Sequence, residues 1–593
     1  MSPIRSFVTV IAGALLALAP GARAGDLLFT ASFDEPAEGP YNDYEAARFL
    51  TQATLGPTMP EIQRLRQIGY NAWLNEQLNL AFSSHRPYLD ALAAANQDVG
   101  QNVRYEAFFQ RALTAPDQLR QRVALALSEI LVVSDQGAGL GGEPFALAHY
   151  YDLLGTHGLG SYRALLEQVT LSPVMGRYLS MLQNRKPDEA SNVRPDENYA
   201  REIMQLFSVG LVQLNLDGSP VDGDAGTAGV QTVPTFNQDT IRGFAHVFTG
   251  WTFAGCPVRE FEWCGPGETG AGWLQPMQTP EGPWWGNTPP WFVWHAYLGD
   301  KQLLVYPGAA LAGGVLTGSP EPLAAHGSPT PYSNLSAALD NVAGHPNVGP
   351  FLAQRLIQRF VTSNPEPDYI ARVAGVFNNN GSGVRGDLRA VVRAVLMDPD
   401  ARARPVTGSH QGKLREPMLR MTQIWRAFAA TNPTGRYQDW WIWWPGQYVP
   451  QMPLHARTVF NFFLPDYQPA GEIASNGWVA PEFQIQTDGY VTNFSNVLDT
   501  MVWNYVGNPS EWADPDATKI NLASERALSG NASIERLLER LDVLMMSGTM
   551  STHMRNTLRT YLLAIPVGDE AGYRRAWEAL WLIMVSPEYV IEK

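Results

Sequence analysis

The sequence predicts a mainly α protein: a large multi-helical body with a long Gly/Pro/Trp-rich loop region in its middle, in which short strands are possible. Three observations lead there. Apolar residues recur at helical spacing over most of the chain, as in Leu119, Val123, Leu127, Ile130 and Leu131. Ser or Asp stands before Pro at the end of several such runs, at Ser172-Pro173, Asp398-Pro399 and Ser586-Pro587, where it caps and starts a new helix. Between residues 212 and 347 the period lapses, and Gly, Pro and Trp crowd in. The chain has 593 residues, 45% hydrophobic and 17% charged, which is the balance of a folded protein with a sizeable core.

The elements follow in order. Residues 1–24 read as an export signal: Arg5, an apolar run over 8–19, then small residues at Ala22 and Ala24 suited to cleavage before Gly25. The run is too short for a comfortable membrane span, and no Cys follows it to carry a lipid. Residues 25–44 form a polar, extended leader. A helical domain is expected over 45–490, with 212–347 as its loop-rich insert, and a helical C-terminal segment over 491–593 packs on it. Helices are expected at 44–55, 60–80 (broken at Gly69), 106–134, 145–154, 162–171 and from Ser172 onward. One more lies inside the insert, at 236–251. Others follow at 350–362, 368–377, 388–397, 417–430, 532–563 and 571–591. The glycine-rich stretch 137–142 follows a helix and lacks a Lys-Ser/Thr ending, so it is a connection and not a phosphate loop. Residues 440–448, W-W-I-W-W-P-G-Q-Y, read as an aromatic loop.

Net charge is −15, and loss of the export signal with Arg5 and Arg23 makes it two units more negative. Such a chain repels phosphate, which argues against nucleic acid and anionic membrane as partners. No later stretch is long and apolar enough to be an integral membrane segment. Cys256 and Cys264 lie close together in the exported part, where a disulfide is expected. The rival reading is a metal site completed by His246 or His295.

Residues 194–210, R-P-D-E-N-Y-A-R-E-I-M-Q-L-F-S-V-G, hold the densest polar set. Pro195, Asp196 and Glu197 suit a helix start, and Gly210 suits a stop. Tyr199, Ile203, Leu206 and Phe207 mark a buried face, with Asn198, Glu202 and Gln205 along the neighbouring stripe. Glu197 and Arg201 stand one turn apart, placed to pair. Two readings compete: an amphipathic helix with an ordinary ion pair, or a partly buried polar site. For the second, Glu202, Asp239 and His295 are the candidate catalytic groups, with Asn198, Arg201, Gln205 and His246 as the polar cluster around them. Each also has a plain structural role open to it. Glu202 can pair with an Arg, Asp239 can cap a helix, His246 can pack on an amphipathic face, and His295 can sit in a loop. No clustered His spacing points to a metal, and no motif points to a cofactor.

Several stretches together resemble the exported bacterial family of unknown function catalogued as DUF1800. They are A-A-R-F-L-T-Q-A-T-L-G-P-T (46–58), Y-Y-D-L-L-G-T-H-G-L-G-S-Y-R-A-L-L (150–166), S-P-V-M-G-R-Y-L (172–179) and E-N-Y-A-R-E-I-M-Q-L-F (197–207). F-T-G-W (248–251), H-P (345–346), G-K-L-R-E-P (412–417) and V-F-N-F-F-L-P (459–465) continue the series in the family's order. The resemblance implies an exported, mostly helical protein, often encoded beside an exported sulfatase- or phosphatase-related protein that is its natural candidate partner. It implies no activity, substrate or cofactor. The sequence departs from the family where Ala296 follows His295 in place of an Asp, and where Gln205 stands for a second Glu.

No hydrolase elbow, zincin helix, Walker loop or C-x-x-C occurs. Two functions are weighed. One is an exported protein that binds or processes an extracellular or envelope polymer such as a polysaccharide, with 18 Trp available to stack on sugar faces and Glu202 with Asp239 as acid and base. The other is a non-catalytic surface or assembly protein, in which the Glu202 cluster is a packing network and the Trp loops are an interface. Either acts in the periplasm or outside the cell.

Overall fold

The structure, a computed structural model, describes residues 38–224, 226–227, 229–282, 291–319, 330–404, 410–508, 510, 514–566 and 571–593. The expected export signal, 1–24, and most of the expected leader lie outside them. The described residues form twenty-four α-helices and two small two-stranded sheets. The mainly α expectation holds.

Local chemistry accounts for the helix boundaries. Asn42 opens the helix Asp43–Ala53 by accepting from the Glu45 amide, and Ala46, Phe49, Leu50 and Ala53 then line its buried face. The helix Met59–Asn79 breaks at Gly69, whose φ of +80° only glycine adopts cheaply. Asp398 and Ser586 cap as the sequence implies, accepting from the amides of Asp400 and Tyr589, whereas Ser172 starts its helix without a side-chain cap. Each large apolar side chain so buried contributes roughly 1.5–3 kcal/mol. One continuous core runs from Ala46 to Tyr589 and takes side chains from both ends of the chain. A small satellite of Leu89, Val103, Ala107 and Ala148 lies beside it.

The insert is more ordered than its composition suggests. Its expected helix is shorter, Gln238–Val247, and Asn237 caps it through the Thr240 amide. Lys301–Gln302 and Val315–Leu316 pair as short antiparallel strands. A longer helix, Pro331–Gly344, stands where the sequence was read as loop, its start fixed by a reciprocal Thr330/Ser333 capping box. Cys256 and Cys264 stand at disulfide distance, their Cα atoms 6.1 Å apart. No described helix is long and apolar enough to cross a membrane.

Gly243 lets the first insert helix lie on the strand beside it. A Cβ there would stand 1.9 Å from the Gln302 carbonyl oxygen. Gly243→Ala is therefore expected to cost about 1–3 kcal/mol or more, as overpacking against backbone. Gly375→Ala is the control: it sits in the helix Pro367–Asn378 with nothing near its would-be Cβ, and should gain roughly 0.5–1 kcal/mol from helix propensity. Thermal melts of the two variants, moving in opposite directions, check both.

A second sheet joins the ends of distant segments. Lys413–Leu414 pairs antiparallel with Ile591–Glu592, and the Arg415 amide continues the ladder to the Val590 carbonyl at 2.8 Å.

Candidate functional site

The helix at the centre of the sequence reading spans Asn198–Gln205. It ends earlier than Gly210, which closes the following turn at φ +72°. Tyr199, Ile203 and Met204 are buried on its apolar face, and Glu202 is buried with them. Glu202 Oε2 has no hydrogen-bond partner among the described residues. Burial pushes its carboxyl up, and neighbouring Arg201 offsets this only in part. Arg201 pairs loosely with Glu197 at 3.8 Å, while both Glu197 oxygens accept from Gln238 Nε2 at 2.8 and 2.9 Å. Asn198 points to solvent.

The other candidates go elsewhere. Asp239 is exposed and pairs with Arg242 at 3.1 Å. His295 is fully buried. Its Nδ1 donates to the Thr249 carbonyl at 2.8 Å, and its Nε2 accepts from Asn334 Nδ2 at 3.0 Å. Burial pushes it down to about 3, so it stays neutral with both nitrogens engaged. That suits packing under the 248–251 turn, where Gly250 leaves room for the His295 backbone. His246 is half-buried and is lowered by burial and then by Lys301. Trp251 and Trp273 of the insert are core residues, and Trp284 and Trp285 lie outside the described residues. Among the described residues, no three His, Cys, Asp or Glu are grouped to hold a metal.

A different constellation does converge. Asp135 and His455, 320 positions apart, meet at 2.7 Å between Oδ1 and Nδ1. Asp135 Oδ2 accepts from Arg104 Nη2 at 2.7 Å and from the Tyr105 hydroxyl at 2.5 Å. Burial raises the Asp135 carboxyl, but the His455 hydrogen bond and the Arg104 charge outweigh it and hold it at about 2. The carboxylate takes Nδ1 and turns Nε2 away from it as the second ring nitrogen. His455 Nε2 has no hydrogen-bond partner among the described residues. It faces Gly446, where a Cβ would stand 3.7 Å away. Leu454, just before it, holds a left-handed φ of +52°, and the Asp135 amide binds its carbonyl at 3.0 Å.

Gly446 belongs to the aromatic stretch. Trp440–Trp443 is a single 3-10 turn, in which positions three apart share a side. Trp441 and Ile442 are buried and anchor it, while Trp440, Trp443 and Trp444 are 43%, 53% and 61% exposed. Asp439 pins its start by accepting from the Thr518 amide and hydroxyl. Tyr490 holds its end by donating to the Gly446 carbonyl at 2.6 Å. Three partly exposed indoles thus form a shelf on an anchored turn, and the Gly446 end of this stretch approaches His455.

Below lies a buried charge network. Gln451 Nε2 donates to Glu129 Oε1 and Glu416 Oε2, both at 2.7 Å. Lys413 Nζ stands 2.9 Å from Glu416 and 3.4 Å from Glu482. Arg359 Nε lies 3.1 Å from Glu129 Oε2, off the hydrogen-bonding direction. Burial and the Glu416 charge push Glu129 well up. Glu416, equally buried, is held low by Lys413 and Arg359.

The DUF1800 family model, described as a protein of unknown function, matches residues 48–591. The chain belongs to the DUF1800 family. No curated protein and no solved structure matches it significantly. In this DUF1800 protein, stretches that carried the resemblance meet around the network. Lys413 and Glu416 come from G-K-L-R-E-P, and Asn461 and Phe463 from V-F-N-F-F-L-P. Gln205 comes from the central helix, which reaches a recess above Glu129. Sequence reading missed Asp135, His455, Glu129 and Glu416. The one available signal was Lys413 and Glu416 three apart at a helix start, amid apolar neighbours.

Proposed function

We propose that this DUF1800 protein is exported and binds an extended extracellular or envelope polymer, a polysaccharide foremost, along Trp440, Trp443 and Trp444. Where the polymer is processed, His455 and Asp135 are the proton-transfer pair. The observation that carries the reading is the exposure of three indoles within five residues on an anchored turn. Exposed aromatic surface of this kind serves contact with a ligand or partner, and indole faces stack on the apolar faces of sugars while their N–H groups find polar partners. An extended chain laid over the shelf would pass beside the open Nε2 of His455.

Affinity electrophoresis through polysaccharide-containing gels tests it. The native chain should be retarded, and Trp443→Ala with Trp444→Ala should lose at least about tenfold in affinity, on the order of 1.4 kcal/mol. The melting point should stay level, because both rings face solvent. His455→Asn should keep binding and abolish any cleavage. Absence of retardation by every neutral and acidic polysaccharide tried would remove this reading. The same shelf also suits the second reading, a non-catalytic assembly protein, since exposed aromatics are the commonest anchors of protein interfaces. Its partner would then be an exported protein, the sulfatase- or phosphatase-related neighbour first among candidates. In that case His455→Asn changes nothing, while the Trp variants lose the partner.

A further inference from the structure

The recess above Glu129 has features that the shelf does not use. Its volume is about 70 Å³. One water needs roughly 10–15 Å³ on this measure, so the space suits a few waters or one small polar group, not a sugar ring. Its polar lining is rich in donors. Arg355 is half-buried, and among the described residues its hydrogen bond is Nη1 to Gln358 Oε1 at 3.2 Å, with no carboxylate at ion-pair distance. Burial, then the charge of Arg359, lower it to about 10, so it remains a cation. Asn461 is nine-tenths buried in a left-handed conformation at φ +68°, and its Nδ2 has no partner among the described residues. Arg359, also buried, spreads over the Phe463 ring at 4.6 Å. At the mouth, Phe460 and Leu464 are exposed.

We infer that this recess is an oxyanion site, taking a carboxylate or sulfate group between Arg355 and Asn461 while the body of the ligand lies on Phe460 and Leu464. Three physical points support it. A buried amide N–H without a partner costs about 1–3 kcal/mol, which an acceptor in the recess relieves. The Arg355 guanidinium feels the charge of Asp466 but is not at ion-pair distance from it, so it keeps donors shaped for an oxyanion. The floor offers little repulsion, because burial and the Glu416 charge favour the protonated form of Glu129. The chain as a whole is acidic, so its long-range field opposes anions and binding must come from these short contacts.

The group can be a free small anion or one carried on a polymer. Thermal shift and isothermal titration with sodium sulfate and sodium acetate, at constant ionic strength set with chloride, test the site itself. A saturable rise in melting point is expected with the native chain. Arg355→Gln and Asn461→Asp should each lose at least tenfold in affinity, whereas Trp443→Ala should keep it. Should Arg355→Gln fail to fold, Asn461→Asp still decides, since it places a negative charge against the ligand and changes no volume. No saturable shift, or equal shifts in native chain and both variants, overturns the proposal. A second arm compares a sulfated with an unsulfated oligosaccharide. Tighter binding of the sulfated one than of free sulfate by tenfold makes the polymer the source, and equal affinities make it a free anion. Because Trp443→Ala separates the two sites, failure here leaves the shelf reading standing, and the reverse.

Discussion

Replacing Lys413 by alanine is expected to lower the unfolding free energy by about 3–5 kcal/mol, the range for removing one partner of a buried ion pair. Lys413 and Glu416 are both inaccessible and stand 2.9 Å apart, with Glu482 at 3.4 Å and the Arg359 carbonyl accepting from the same Nζ at 2.9 Å. Without the ammonium, Glu416 loses the charge that does most to hold it low, and Glu482, which burial already pushes up, loses the cation that opposes this, so two buried carboxyls are left with Arg359 as the chief remaining counter-charge. The pair Lys413→Met with Glu416→Gln should recover most of the loss. The new amide still accepts from Gln451, and Lys413 and Glu416 are neutralised together, while burial already pushes the Glu482 carboxyl up towards its neutral form. Chemical denaturation of the native chain and the two variants decides it. A single-variant loss under about 1 kcal/mol, a surface-pair value, would mean that solvent or an ion enters the network.

Asp135→Ala should cost nearly as much, about 3–5 kcal/mol, because it strands the Arg104 guanidinium in the interior. Arg104 and Asp135 are 4% and 2% exposed at their side chains, and Arg104 would keep only its bonds to the Pro453 carbonyl and Gln101. The wild-type carboxyl also makes an acid signature. Its folded value of about 2 lies below the ordinary 3.8. Its contribution is therefore fully present above pH 4 and is lost as pH falls through 2. A shift of that size is worth about 2 kcal/mol. Stability measured between pH 5 and 2 should fall less steeply in Asp135→Ala than in the native chain. Equal slopes would show that another group carries the acid dependence. Asp135→Asn separates structure from chemistry: it keeps an acceptor for Arg104 but weakens the hold on the His455 tautomer.

Local signals were legible in the sequence, and long-range ones were not. Asp398 and Ser586 before proline, Gly69 inside a helical run and the buried stripe through Tyr199 and Ile203 each act within a few residues. Their structural consequences could be read directly. Pro331–Gly344 was lost because its Thr330-Pro331 start stands in Gly/Pro-rich surroundings, where composition outweighed the cap. The candidate site fared less well for a geometric reason. Periodicity places Glu202 beside an apolar face, and it is buried, but it says nothing of which helix faces it. Asp239 turned outward with Arg242, and His295 spent both nitrogens on Thr249 and Asn334. Asp135 and His455 lie in segments that only the fold brings together, and neither has a neighbour in sequence that hints at the other.

The short ladder between Lys413–Leu414 and Ile591–Glu592 has a practical side. Glu592 lies directly against the lysine that balances the interior charges, and a Cβ on Gly412 would collide with the Glu592 carbonyl. Removing residues 591–593 therefore disturbs the middle of the molecule, where the paired strand sits.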